Sequence, residues 1–173
     1  MRRLAAVAAL LVLLAAPARA QAVGGWELSD QMDPVDDRRI VQISKVAEAV
    51  SLDPLNMGAM GILCTGNEPR IGIAWPSKPR LSRSPRQTRG QTDASVEVTQ
   101  RLDARQAENV QWERFNQNLT LSPSPRSMLR ELLASRRLVV RARDEDGQQM
   151  TLVFDLSGLG ASVGAIQKAC SWR

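Results

Sequence analysis

Histidine and tyrosine are absent from this 173-residue chain, and phenylalanine and cysteine occur twice each. Without an imidazole, the Ser-His-Asp and Cys-His arrangements of nucleophilic catalysis are excluded, as are the usual zinc sites that rest on His ligands. Without a phenol, a tyrosine acid or nucleophile is excluded as well. Carboxylate chemistry, a Ser-Lys pair or a cysteine nucleophile remain, but no Ser-x-x-Lys motif occurs. No internal repeat is visible, and no long apolar run follows residue 20.

One apolar run does stand at the start. Leu4 to Ala16 lies behind Arg2 and Arg3 and ahead of Ala18-Arg19-Ala20, the order of a secretory leader with a small-residue cleavage site. The run falls short of the roughly twenty residues that span a bilayer. Residues 1–20 are therefore expected to be a cleaved signal peptide, leaving a soluble periplasmic protein that begins at Gln21, with no membrane span. Position 21 is not Cys, so no lipid attachment point follows the cleavage site.

Loss of Arg2, Arg3 and Arg19 with the leader lowers the formal charge from +5 to +2. So small a charge does not argue for nucleic acid, whose recognition needs dense phosphate neutralisation. The remaining length, residues 21–173, suits a single domain with one core.

Period-two alternation and β-branched content predict strands over Trp26 to Met32, Arg39 to Ala47, Gly58 to Thr65, Arg70 to Trp75, Ser95 to Leu102, Asn109 to Phe115, Leu138 to Arg143 and Met150 to Leu156. Gly66-Asn67-Glu68-Pro69 and Asp144-Glu145-Asp146-Gly147 read as hairpin connections, which favours antiparallel pairing. Two short helices are predicted. One runs from Ser127 to Ser135 behind Ser122-Pro123-Ser124-Pro125, and the other from Leu159 to Ala169, weakened by Gly160 and Gly164. The fold class is α+β, with a mostly antiparallel sheet that is either curled or part of a sandwich.

The segment 76–92 carries Pro76, Pro79 and Pro85 with Lys78, Arg80, Arg83, Arg86 and Arg89, and no acid. It reads as an exposed loop, either solvated or a binding arm for an acidic partner. Cys64 and Cys170, an even count in an exported chain, are expected to form a structural disulfide that ties the last helix to the sheet. A redox role is disfavoured, because there is no Cys-x-x-Cys and no His to generate a thiolate.

Asp33, Asp36 and Asp37 crowd one turn ahead of Arg38-Arg39-Ile40-Val41. Paired carboxylates serve hydrolysis, and calcium takes six to eight oxygen ligands, but the segment offers no others. An acidic turn that sets the start of the next strand is the simpler reading. No metal and no cofactor are expected. Trp26, Trp75, Trp112 and Trp172 read as packing residues rather than a sugar-stacking platform.

The motifs run in a set order. Trp26 is followed by Met32-Asp33-Pro34-Val35-Asp36-Asp37-Arg38-Arg39-Ile40-Val41, Leu63-Cys64-Thr65-Gly66 and Val98-Thr99-Gln100-Arg101-Leu102-Asp103. Then come Trp112, Arg137-Leu138-Val139-Val140-Arg141, Phe154-Asp155-Leu156-Ser157-Gly158-Leu159 and Ala169-Cys170-Ser171-Trp172. This order resembles the VasI/TagO family of periplasmic proteins associated with type VI secretion in Gram-negative bacteria. The resemblance implies an exported accessory protein with no assigned enzymatic activity and an envelope or secretion-system protein as its partner. It also implies that Asp33, Asp36, Asp37, Arg101, Asp103, Trp112, Asp155, Gly158 and Trp172 are fold determinants. Pro34-Val35 within the acidic turn and the length of 76–92 depart from the family's pattern.

The expected function is thus a non-catalytic periplasmic accessory or binding protein. One alternative is a carboxylate-dependent enzyme acting on the cell wall through Asp33, Asp36 or Asp37. Another is a secreted inhibitor or structural envelope protein.

Overall fold

The computed structural model describes residues 21–48, 57–76, 81 and 95–171. The leader, Trp172 and most of the 76–92 segment lie outside the described residues. Among the described residues, ten strands and three short helices occur in the order β1 Gln21–Val23, β2 Trp26–Met32, β3 Arg39–Val46, β4 Ala59–Thr65, β5 Glu68–Ala74, β6 Ser95–Leu102, β7 Glu108–Arg114, β8 Leu119–Leu121, α1 Pro125–Leu133, β9 Arg137–Arg143, β10 Gln149–Asp155, α2 Leu159–Ser162 and α3 Gly164–Ala169.

All pairings are antiparallel, and the strands form one sheet in the order β1-β2-β3-β4-β5-β8-β7-β6-β9-β10. The alternation that predicts each strand also sets its register. Val41 lies opposite Cys64, Ile43 opposite Ile62, and Ile62 opposite Ile71, so one apolar row continues across β3, β4 and β5. A one-residue slip would turn each row toward solvent. Val41, Ile43, Ile62 and Ile73 have no exposed surface, and burial of such a side chain contributes about 1.5–3 kcal/mol.

The sheet curls until its far ends meet. The Glu48 amide just past β3 donates to the Val153 carbonyl of β10 at 2.8 Å, and the Trp26 indole of β2 donates to the Ser157 carbonyl at 3.2 Å. No ladder joins β1 to β10, so the sheet is curled but not closed. The described strands form one continuous sheet rather than two separate ones. The helices cover the inner face, α1 against β5, α2 against β1 and β2, and α3 against β3 and β4.

Several boundaries differ from the sequence reading. β5 begins at Glu68 rather than Arg70, because Gly66-Asn67 alone makes the turn and Glu68 already pairs with Thr65. Pro69 is tolerated inside this strand because β8 pairs only with Gly72–Ala74, leaving the missing N–H on an unpaired side. β1 and β8, three residues each, are too short to show alternation. Helix α1 begins at Pro125, the first helical position, where a missing N–H costs nothing. The last helix divides into α2 and α3, which share Val163 as C-cap and N-cap.

Within 76–92, Pro76 and Leu81 are described, and both are buried. Leu81 has no exposed surface, bridges to Asp144 and donates its amide to the Gln117 carbonyl. The sequence reading of an exposed loop did not anticipate this anchor.

Candidate functional site

The acidic turn between β2 and β3 is hydrogen-bonded within itself. Asp33 Oδ1 accepts the Val35 amide at 2.8 Å, Asp33 N–H donates to the Arg38 carbonyl, and Asp37 N–H donates to the Asp33 carbonyl. Asp37 takes a positive φ of 54°. The guanidinium of Arg38 pairs with Asp36 and holds its carboxyl below the usual range. One turn outward, Arg39 donates to both oxygens of Asp30 and depresses that carboxyl too. Carboxylates kept ionised by arginines are poorly placed to act as general acids. None of Asp33, Asp36 and Asp37 lines the hollows described below.

At the opposite end the aspartates cap strands. Asp103, at φ 51°, accepts the Arg136 and Arg137 amides on one oxygen at 2.9 Å each, fixing the start of β9 beside the end of β6. Asp155 accepts from Ser157, which lowers its pKa first through the hydroxyl and then through the amide, with Lys45 at 3.8 Å adding to the effect. Gly158 follows at φ 81° and opens α2. Gly24 of the β1–β2 turn lies against it, so that a Cβ at Gly24 would stand 2.6 Å from Gly158 Cα. The Cys64–Cys170 disulfide, with Cα atoms 5.6 Å apart, ties the end of α3 to β4.

A second feature lies on the outer face of the sheet. Arg101 of β6 and Arg137, Arg141 and Arg143 of β9 are all exposed and share this face by alternation. Arg101 lies opposite Val139, which makes Arg137 and Arg141 its diagonal neighbours, about 7–8 Å away. Arg141 lies between Thr99 and Thr151, and Arg143 faces Gln149. Arg137 reaches Glu48 at 3.8 Å. Among the described residues no carboxylate pairs with Arg101, Arg141 or Arg143. Like charges set this close repel one another unless a partner supplies the opposite sign.

Among the described residues, hollows surround the lead-in to α1. Three adjoining hollows of about 500, 280 and 170 Å³ share residues of Ser122-Pro123-Ser124-Pro125. Arg126, Arg130 and Glu68 border the largest. The smallest lies beneath α1, with Trp112, Gln100, Leu102 and Leu138 of the sheet as its floor and Ser127, Met128 and Glu131 of the helix above.

Of the residues singled out in the sequence, the structure brings Asp103 to β9, Asp155 to Lys45 of β3 and Gly158 to the β1–β2 turn. Arg101 stands on the outer face and Trp112 is fully buried. Lys78, Arg80, Arg83, Arg86, Arg89 and Trp172 lie outside the described residues. The grouping of Arg101 with Arg141 and Arg143 was missed. Alternation put the arginines of β9 on one face, but nothing local shows that β6 pairs with β9 across 34 intervening residues.

No protein-family model matches the sequence, and no curated protein matches it. Among solved structures the chain is similar to the crystal structure of invasion associated protein b from Bartonella henselae. The TM-score is 0.59 at 11% sequence identity, covering 86% of this chain and 97% of that one. At that identity the likeness is one of fold.

Proposed function

We propose that this is a non-catalytic accessory protein of the bacterial envelope, periplasmic after removal of residues 1–20, that binds an acidic protein partner through the outer face of β6 and β9. The observation that carries this reading is the cluster of Arg101, Arg141 and Arg143 on one exposed sheet face, none of which pairs with a carboxylate among the described residues, although Arg141 donates to Thr151 Oγ1 and Arg143 to the Gly147 carbonyl. Rigid strands hold these guanidinium groups in fixed register, which suits planar recognition of carboxylates. Leu81 bridges Asp144, just past Arg143. The basic residues Lys78, Arg80, Arg83, Arg86 and Arg89 flank this anchor in sequence and lie outside the described residues.

The finer reading makes the partner a component of a type VI secretion apparatus, and rests on the order of motifs from Trp26 to Trp172. The structural neighbour is named an invasion associated protein, which agrees with a role outside the cytoplasm. A carboxylate-dependent enzyme is the weaker reading, since Asp36 is held by Arg38 and Asp33 by its own turn.

The test is affinity capture of the mature protein from a periplasmic extract, compared with the triple variant Arg101→Ser, Arg141→Ser, Arg143→Ser. An acidic envelope protein retained by the native face and lost from the variant, at an unchanged melting temperature, is the expected result. Equal capture by both proteins would overturn the reading. A captured secretion-apparatus component would carry the finer assignment, and any other partner would reject it.

A further inference from the structure

Two residues that line the hollow beneath α1 each carry a buried polar atom with no hydrogen-bond partner, the Trp112 indole Nε1 and the Gln100 Oε1. Trp112 has no exposed surface. The other two described indoles are satisfied, Trp26 by the Ser157 carbonyl and Trp75 by Thr120 Oγ1 at 3.0 Å. Buried donors and acceptors in folded proteins are nearly always paired, so each exception points to a missing partner. Gln100 is also fixed in orientation, because its amide nitrogen donates to Glu108 Oε1 at 2.7 Å and leaves its oxygen directed elsewhere.

We infer that this hollow binds the acetamido group of an N-acetylated amino sugar. Such a group carries a carbonyl to accept from Trp112 Nε1, an N–H to donate to Gln100 Oε1, and a methyl. Leu102, Val110, Met128 and Leu138 line the same hollow and provide an apolar seat for that methyl. Ser127 and Glu131 stand on the helix side, where a hydroxyl and a carboxylate can hydrogen-bond the hydroxyls of a sugar ring. A volume of about 170 Å³ accommodates the acetamido group and part of the ring, leaving the remainder outside. Neither orphaned atom touches solvent, so admission requires the Ser122–Ser124 lead-in or the Met128 side chain to move aside. This site is separate from the basic outer face and does not depend on it.

The experiment is a titration of the nitrogen-15-labelled mature protein with N-acetylglucosamine, followed at the tryptophan indole N–H resonances. Glucose, glucosamine and N-methylacetamide serve as comparison ligands. The Trp112 indole signal, assigned from Trp112→Phe, is expected to shift saturably with N-acetylglucosamine while those of Trp26 and Trp75 stay in place. Glucose and glucosamine should leave it unmoved, and Gln100→Leu should weaken binding by at least tenfold without changing the signals of Trp26 and Trp75. No response to N-acetylglucosamine would overturn the proposal and leave the hollow to water. An equal response to glucose would overturn the acetamido assignment, and tighter binding of N-methylacetamide would point to a peptide amide and reject the sugar.

Discussion

At Gly24 the backbone of the β1–β2 turn comes so close to Gly158 that Gly24 has no room for a larger residue. Gly24 holds a φ of +59°, and an added Cβ would meet backbone at 2.6 Å. Gly24→Ala should therefore lower stability by about 2–5 kcal/mol, combining strain at positive φ with overpacking. Gly160 and Gly164 provide the contrast, since a Cβ at either meets nothing within 4 Å. Alanine at each should raise stability by about 0.4–1 kcal/mol through the unfolded chain. Urea midpoints for the three variants check both directions, and an unchanged midpoint for Gly24→Ala would refute the close contact. Cys64→Ser removes a bridge between residues 106 apart, and in the chain-entropy model a loop of that size contributes about 4.7 kcal/mol. Denaturation of oxidised protein against this variant should show a large loss of stability, and equal midpoints would contradict a structural role for the bond.

The elements that could be read from sequence are those whose alternation stands alone. β2 and β6 have the bounds their patterns predict, Trp26–Met32 and Ser95–Leu102; β6 buries one face against the core, whereas in β2 only Trp26 is fully buried and Leu28 half-buried. β8 was illegible, since Leu119–Leu121 is held by Trp75 N–H to Asn118 and by Thr120 rather than by any pattern of its own. Pairing was legible only across tight turns. The β6–β9 and β5–β8 pairs join distant segments, and for that reason the arginine cluster was not foreseen as a group. The vacant hydrogen bonds of Trp112 and Gln100 leave no trace in sequence at all, because they depend on how α1 sits over the sheet.

The hairpin β2–β3 and the turn after β10 carry the pH dependence of these elements. Asp30, Asp36 and Asp155 have pKa values below 3.8 in the folded state, owing to hydrogen bonds from Arg39, Arg38 and Ser157 respectively. A carboxyl depressed by folding contributes stability that is complete above its unfolded pKa and is lost as pH falls through the folded value. Melting temperature should therefore hold steady down to about pH 5 and decline below about pH 4. The three pairs are exposed, so the decline should be shallow and reduced by salt. Asp155→Asn should flatten it further, and an identical profile for this variant would remove Asp155 from the account.

For the molecule as a whole, one curled sheet turns its apolar rows inward around the helices and leaves an outer face built from the alternate residues. Many of the described acidic residues lie in turns and at strand ends; Glu97 of β6 shares the outer face, but Arg101, Arg141 and Arg143 have no described carboxylate within pairing distance. The central claim, that this face is the contact surface, is tested most directly by arginine-selective chemical labelling of the captured complex, read residue by residue by mass spectrometry. The account predicts that Arg101, Arg141 and Arg143 are protected in the complex while Arg126 and Arg130 beside α1 react as they do in the free protein. Protection confined to Arg126 and Arg130, with Arg101, Arg141 and Arg143 fully reactive, would contradict it.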